Sequence, residues 1–203
     1  MDAPWFAAVR YYLSLAMWIT LPAALVFWVV VHPLARFWRR LGPTTTYVVL
    51  FFVLAPIGYL CWLWREPVLA PRYPPRLVFV IVGVLLYLLA AVIEIKCRRH
   101  LKARILVGVP ELSAEDPGRL LTEGIYAHTR NPRYLDLIIA VIGFALITNY
   151  RVMHWLALLC IPGLYVVILL EERELRQRFG EAYEDYLRRV PRLVPRSWGF
   201  LLS

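Results

Sequence analysis

At 203 residues, 61% of them hydrophobic and with a mean hydropathy of +0.60, the chain carries more apolar material than a soluble domain of its length could bury. Its net charge of +9 sits in arginines that flank apolar runs rather than in a basic stripe of their own, which argues for a membrane setting and against nucleic acid. Cys61, Cys97 and Cys160 are widely spaced and form no Cys/His pattern, so neither a disulfide framework nor a metal site is expected.

In chain order, the N-terminal "MDAPWFAAVRYY" lacks a basic leader and a small-residue cleavage site, so the first apolar run is expected to persist as a span. Five runs follow one another: Tyr11–Val31, Tyr47–Trp64, Leu77–Ile95, Tyr134–Thr148 and Val152–Leu170. Backbone polar groups in lipid must be satisfied within the segment, so each run is read as a transmembrane helix. Only Asn149–Arg151 separates the last two runs, which predicts a tight helical hairpin. Pro22, Pro56 and Pro162 fall inside spans, where neighbouring helices can cover the freed carbonyls. The expected fold is all-α: a polytopic membrane bundle of about five helices with an amphipathic C-terminal helix. Residues 1–203 form one domain, with three spans in 1–96, a cytoplasmic loop at 97–133, a hairpin at 134–170 and a tail at 171–203.

Orientation follows from the basic residues. Arg10, Arg65, Arg72, Arg76 and Arg151 lie at one end of the spans, and the other 18 of the 23 Lys and Arg lie at the opposite end. This asymmetry predicts an outer N-terminus and a cytoplasmic C-terminus. The membrane is expected to be the plasma membrane of a bacterium or archaeon, or the endoplasmic reticulum in a eukaryote. The tail from Glu171 repeats Leu175, Phe179, Tyr183, Tyr186, Leu187 and Val190 at helical spacing, and Gly180 predicts a bend within it.

The polar stretch "EGIYAHTRNPRY", Glu123–Tyr134, runs directly into the fourth span. Asn131 suits a helix cap and Pro132 the first helical position. A helix N-terminus reinforced by Arg130 and Arg133 favours a carboxylate or phosphate ligand, although a capped helix with snorkelling arginines needs no ligand. Glu171 and Glu172 close the fifth span. They either pair with Arg173, Arg176 or Arg178 along the helix, or accept hydrogen bonds from a diol and face a cation. The hairpin alone brings Asn131 and Glu171 to the same membrane face. Glu94 is expected to pair with Arg98, Asp136 to sit in the first turn of its helix, and His128 is a conceivable base or a surface residue. His32, His100 and His154 show no ligand spacing, and no phosphate-binding glycine loop occurs.

"LLTEGIYAHTRNPRYLDL" followed by "EERELRQRFGEAYEDYLRRVPRLVP" resembles the C-terminal signature of integral membrane methyltransferases, the isoprenylcysteine carboxyl and phospholipid methyltransferases. The resemblance runs from Arg119 to the C-terminus, and the first three spans share only hydropathy with that group. It implies S-adenosylmethionine as the methyl donor and a lipophilic acceptor, a lipid amine or isoprenoid-linked group, drawn from the bilayer. By position it implies a cofactor cradle of Leu120, Leu121, Gly124, Tyr126, Asn131, Pro132, Arg133, Tyr134 and Glu171, capped by the tail. It assigns no catalytic residue; the candidates are Arg130, His128 and Glu172. Two departures stand out: Asn131 replaces a commoner histidine, and Val167 stands where prenylcysteine-type enzymes carry an arginine, which argues against a carboxylate acceptor. The alternatives are a sterol-type reductase using NADPH, which also has such a hairpin, and a non-enzymatic membrane scaffold.

Overall fold

The computed structural model describes residues 3–31, 33–70, 72–100 and 119–201. Among these described residues the α-helices are α1 (Pro4–Val31), α2 (Ala35–Leu63), α3 (Arg65–Leu69), α4 (Leu77–His100), α5 (Pro132–Thr148), α6 (Arg151–Phe179) and α7 (Glu181–Arg189). Short 3-10 turns cover Gly124–Ala127 and Gly199–Leu201, and among the described residues the only extended pairing is an isolated bridge between Arg72 and Tyr150. Within the expected loop at 97–133, residues 101–118 lie outside the described residues.

Helices α1, α2, α4 and α6 are long and apolar enough to cross a membrane. The fourth predicted span, α5, has 17 residues and a length of roughly 25 Å, at the lower end of what a span requires. All five predicted spans are helical, but several helices outrun their apolar runs. Helix α2 begins at Ala35, well ahead of its apolar run at Tyr47–Trp64, and turns at Gly42, where φ is 77°. Helix α4 carries its basic end on to His100, and α6 runs unbroken from the hairpin through Glu171 to Phe179. Charged residues that end an apolar run need not end a helix, because Arg, Glu and Lys are good helix formers.

The core lies between α1, α5 and α6, where Leu15, Leu21, Val141, Ala145, Met153 and Leu164 pack together. Helices α4 and α5 are in closer contact still. A Cβ placed on Gly143 would lie 2.7 Å from the Gly83 carbonyl oxygen, and one on Gly83 would lie 2.5 Å from that of Gly143. Small residues are what allow membrane helix backbones to approach this closely.

The hairpin turns on Asn149, whose left-handed backbone (φ 54°) accompanies a hydrogen bond from its N–H to the Ala145 carbonyl. Arg10 is buried against this turn. Its Nε donates to the Thr148 carbonyl at 2.6 Å, an acceptor that the end of α5 leaves open, and its Nη2 to that of Tyr73, ahead of α4, at 2.9 Å. The bundle therefore has two ends. One gathers the start of α1, residues 65–70 and 72–76, and the 149–151 turn; the other gathers residues 119–134 and 180–201.

Candidate functional site between the start of α5 and the exit of α6

Pro132 opens α5 at the first helical position, as its fixed φ favours. Asn131 occupies the N-cap, and its carbonyl accepts from the N–H groups of Tyr134 and Leu135. Its side chain does not cap the helix, contrary to the sequence expectation. Asn131 Nδ2 donates instead to Glu172 Oε1 at 3.3 Å and to the Arg192 carbonyl at 2.9 Å. A carboxylate and a carbonyl supplied by distant segments draw away the amide that would otherwise turn back on its own helix.

Glu172 is the centre of this arrangement, with 2% of its surface exposed. Its Oε1 accepts from Arg130 Nε at 3.1 Å and Nη2 at 2.8 Å, and its Oε2 accepts from Arg192 Nε at 3.1 Å. The alternative of pairing along its own helix is therefore not the one adopted by Glu172. Arg130 is 8% exposed at its side chain, and its Nη1 also donates to the carbonyls of Leu187 and Val190. Arg192 lies over the Tyr165 ring and donates to its hydroxyl at 2.6 Å. Its hydrogen bond to Glu172 holds this guanidinium in the charged form even more firmly than usual, outweighing the opposing effect of burial.

The tail is tied into the same knot. The Arg130 N–H donates to the Pro191 carbonyl, and Thr129 Oγ1 donates to that of Leu193 at 2.8 Å. Gly180 (φ 56°) breaks α6 from α7 at the predicted bend. That break turns Tyr183, Tyr186 and Val190 onto Leu120 and Leu175. Tyr186 donates its hydroxyl to the Tyr126 carbonyl at 2.6 Å. Burial pushes the phenols of Tyr126, Tyr183 and Tyr186 above their ordinary range.

Glu171 is different from its neighbour. It is half-buried, its Oε2 accepts from the Tyr134 hydroxyl at 2.5 Å, and among the described residues its Oε1 accepts no hydrogen bond. The start of α5 and the exit of α6 are thus bridged twice, by Tyr134–Glu171 and by Asn131–Glu172. Of the other expected cradle residues, Leu120 packs on the α7 tyrosines, and Leu121 packs with Tyr126 on Ile93, Cys97 and Ile125. Gly124 opens the 3-10 turn with a φ of 58°. Arg133 lines a groove of about 400 Å³ between α4 and α5, with Glu94, Asp136, Tyr87 and Leu137. The catalytic candidates separate: Arg130 and Glu172 are saturated by each other and by the tail, whereas half-buried His128 lies 5.4 Å from the Phe200 ring. Val167 is wholly buried in the core rather than facing any opening.

Sequence reasoning missed the groove's acids as a group. Arg98 Nε does meet Glu94 at 2.5 Å, as expected, but Glu94 also hydrogen-bonds with Asp136, and Cys97 lies beside them. Asp136 is one position beyond the first turn of α5 and faces α4. The Gly83–Gly143 contact is what brings these side chains together, and two glycines 60 residues apart give no such signal in one sequence.

The sequence matches the phospholipid methyltransferase family over residues 78–182, a little over half of the chain. The chain belongs to that family. No curated protein and no solved structure matches it. Within the phospholipid methyltransferase region the third span, α4, is included, so it shares more than hydropathy with the family, contrary to the sequence expectation. Membership implies methyl transfer to a lipid-type substrate by an integral membrane protein.

Proposed function

We propose that the chain transfers a methyl group from S-adenosylmethionine to a lipophilic acceptor at the cytoplasmic face of the membrane. The observation that carries this reading is the half-buried Glu171 carboxylate, held by Tyr134 across the α5–α6 junction with one oxygen unengaged among the described residues. Such an oxygen suits an ammonium, a sulfonium or a ribose hydroxyl. Arg133 and the start of α5 supply positive potential nearby for a carboxylate. When bound, the donor supplies a methyl already activated on a positive sulfur. The chain has to hold the two reactants in line and keep water out, which orientation alone can favour by several kcal/mol. Tyr134 orients Glu171, and the Arg130–Glu172–Arg192 knot fixes both helix ends and folds the tail over them.

The groove between α4 and α5 is the acceptor's route in this reading. Its walls of Tyr87, Ala90 and Leu137 suit acyl chains, and the Glu94–Asp136 pair suits a cationic lipid amine better than a carboxylate. The buried Tyr126 is a poor test residue, because truncating it would open a cavity. We therefore test Glu171→Gln and Tyr134→Phe in purified protein by equilibrium binding of labelled donor. Both are expected to weaken binding by roughly tenfold or more while helix content and Tm hold. Wild-type affinity in both would refute the assignment. Binding of NADPH in place of the donor would favour a reductase, and binding of neither a scaffold.

A further inference from the structure

The end of the bundle opposite Glu171 holds a cavity of about 540 Å³ lined by Tyr73, Arg76, Phe79, Arg151, Trp155 and Leu158 among others. Among the described residues no carboxylate lines it, and neither Arg76 nor Arg151 forms an ion pair. The contrast with Arg10 at the same end is informative, since the Arg10 guanidinium is engaged by the Thr148 and Tyr73 carbonyls. Arg151 opens α6, and the N-cap residue, Tyr150, provides no side-chain cap. The Tyr150 carbonyl accepts from the N–H groups of Met153 and His154, leaving that of Val152 without an acceptor among the described residues at the start of a 29-residue helix. The wall is fixed in place: Tyr73 N–H donates to the Asn149 carbonyl, and Asn149 Nδ2 to that of Pro74 at 2.9 Å. Toward the bilayer the lining becomes apolar, with Trp155 and Leu158 each 58% exposed.

Two arginines without acids, an uncapped helix start and an apolar lower wall call for an anion with hydrocarbon attached. We infer that this cavity binds an anionic phospholipid of the leaflet opposite the methyl-transfer site. Its phosphate sits between Arg76 and Arg151 and its acyl chains run along Trp155 and Leu158. Arginine favours phosphate through paired N–H donors, and the positive potential of the helix start favours the same anion. The site lies at the other end of α5 from Glu171 and does not depend on the proposed chemistry.

The test is native mass spectrometry of detergent-purified full-length protein with phosphatidylglycerol as probe. One lipid is expected to be retained, with R76Q/R151Q lowering its occupancy roughly tenfold or more. R76K/R151K should retain part of it, and R65Q, an arginine of the same end lying over Trp62 outside the cavity, should leave it unchanged. Should the double Gln variant not fold, the two single Gln variants and W155A carry the same expectation at smaller size. Equal loss in R65Q would mean that diffuse positive charge alone attracts the lipid, and would overturn the proposal. So would full displacement by inorganic phosphate at matched concentration, or equal retention of phosphatidylcholine.

Discussion

Two adjacent glutamates in the same helical exit are given opposite tasks by the segments that reach them. Glu172 is buried and meets two guanidiniums and an amide, whereas Glu171 meets one tyrosine hydroxyl and keeps an oxygen open. Replacing Glu172 with Gln would put an NH2 group against donors and strand the buried Arg130. Removing one partner of a buried pair costs about 3–5 kcal/mol; since Arg192 is partly exposed, about 3 kcal/mol is expected for Glu172→Gln. Glu171→Gln still accepts from Tyr134 and is expected to cost about 1 kcal/mol or less. Thermal unfolding by circular dichroism compares the two, and equal losses would contradict this division of roles. The sequence made the juxtaposition of Asn131 with the glutamate pair legible, because a three-residue turn leaves two helices no other arrangement. It did not reveal which glutamate the arginines take, since Arg130 and Arg192 lie 42 and 20 positions from Glu172 and nothing local ranks those partners above Arg176.

Helix α7 is a nine-residue element that holds its place through the buried rings of Tyr183 and Tyr186 and the buried Tyr186 hydroxyl. Its docking carries a pH dependence with a definite sign. Burial raises the phenols of Tyr126, Tyr183 and Tyr186 above 10.0, so the folded state keeps protons that the unfolded chain releases. That stabilisation is complete below pH 10 and is lost as pH climbs through 10 toward the raised values. A fall in Tm confined to the alkaline side is therefore expected. Tyr186→Phe should remove one titrating group, flatten that fall, and cost about 1 kcal/mol at neutral pH by leaving the Tyr126 carbonyl unmet. An alkaline slope identical to wild type would show that α7 is not the element titrating. The bend itself was legible, since Gly180 interrupts an otherwise regular apolar spacing. The reach of α2, α4 and α6 beyond their apolar runs was not, because hydropathy reports where lipid ends and helix propensity continues past it.

Across the whole molecule, length and charge both bear on which way the bundle stands. Helix α6 has 29 residues and extends roughly 43 Å, well beyond a hydrocarbon core of about 30 Å, so its charged last turns stand clear of the lipid. Arg39 near the start of α2 pairs with Glu174 on that protruding portion, and Arg178 lies 3.6 Å from the same carboxylate, so the basic end is bound together as one body. The opposite end has five arginines, of which Arg10 is engaged by backbone carbonyls. We propose that the richer end is cytoplasmic, as the bias of basic residues toward that side requires. Cys61, Cys97 and Cys160 are buried, so single introduced cysteines can report sidedness against a low background. In intact cells Arg151→Cys is expected to react with a membrane-impermeant maleimide. Ala182→Cys, on the exposed side of α7, should react only once the membrane is opened. The reverse pattern would turn the bundle over, moving the Glu171 carboxylate away from a cytosolic donor and removing the proposed methyl transfer with it, while the fold and the phosphate cavity at the other end would stand.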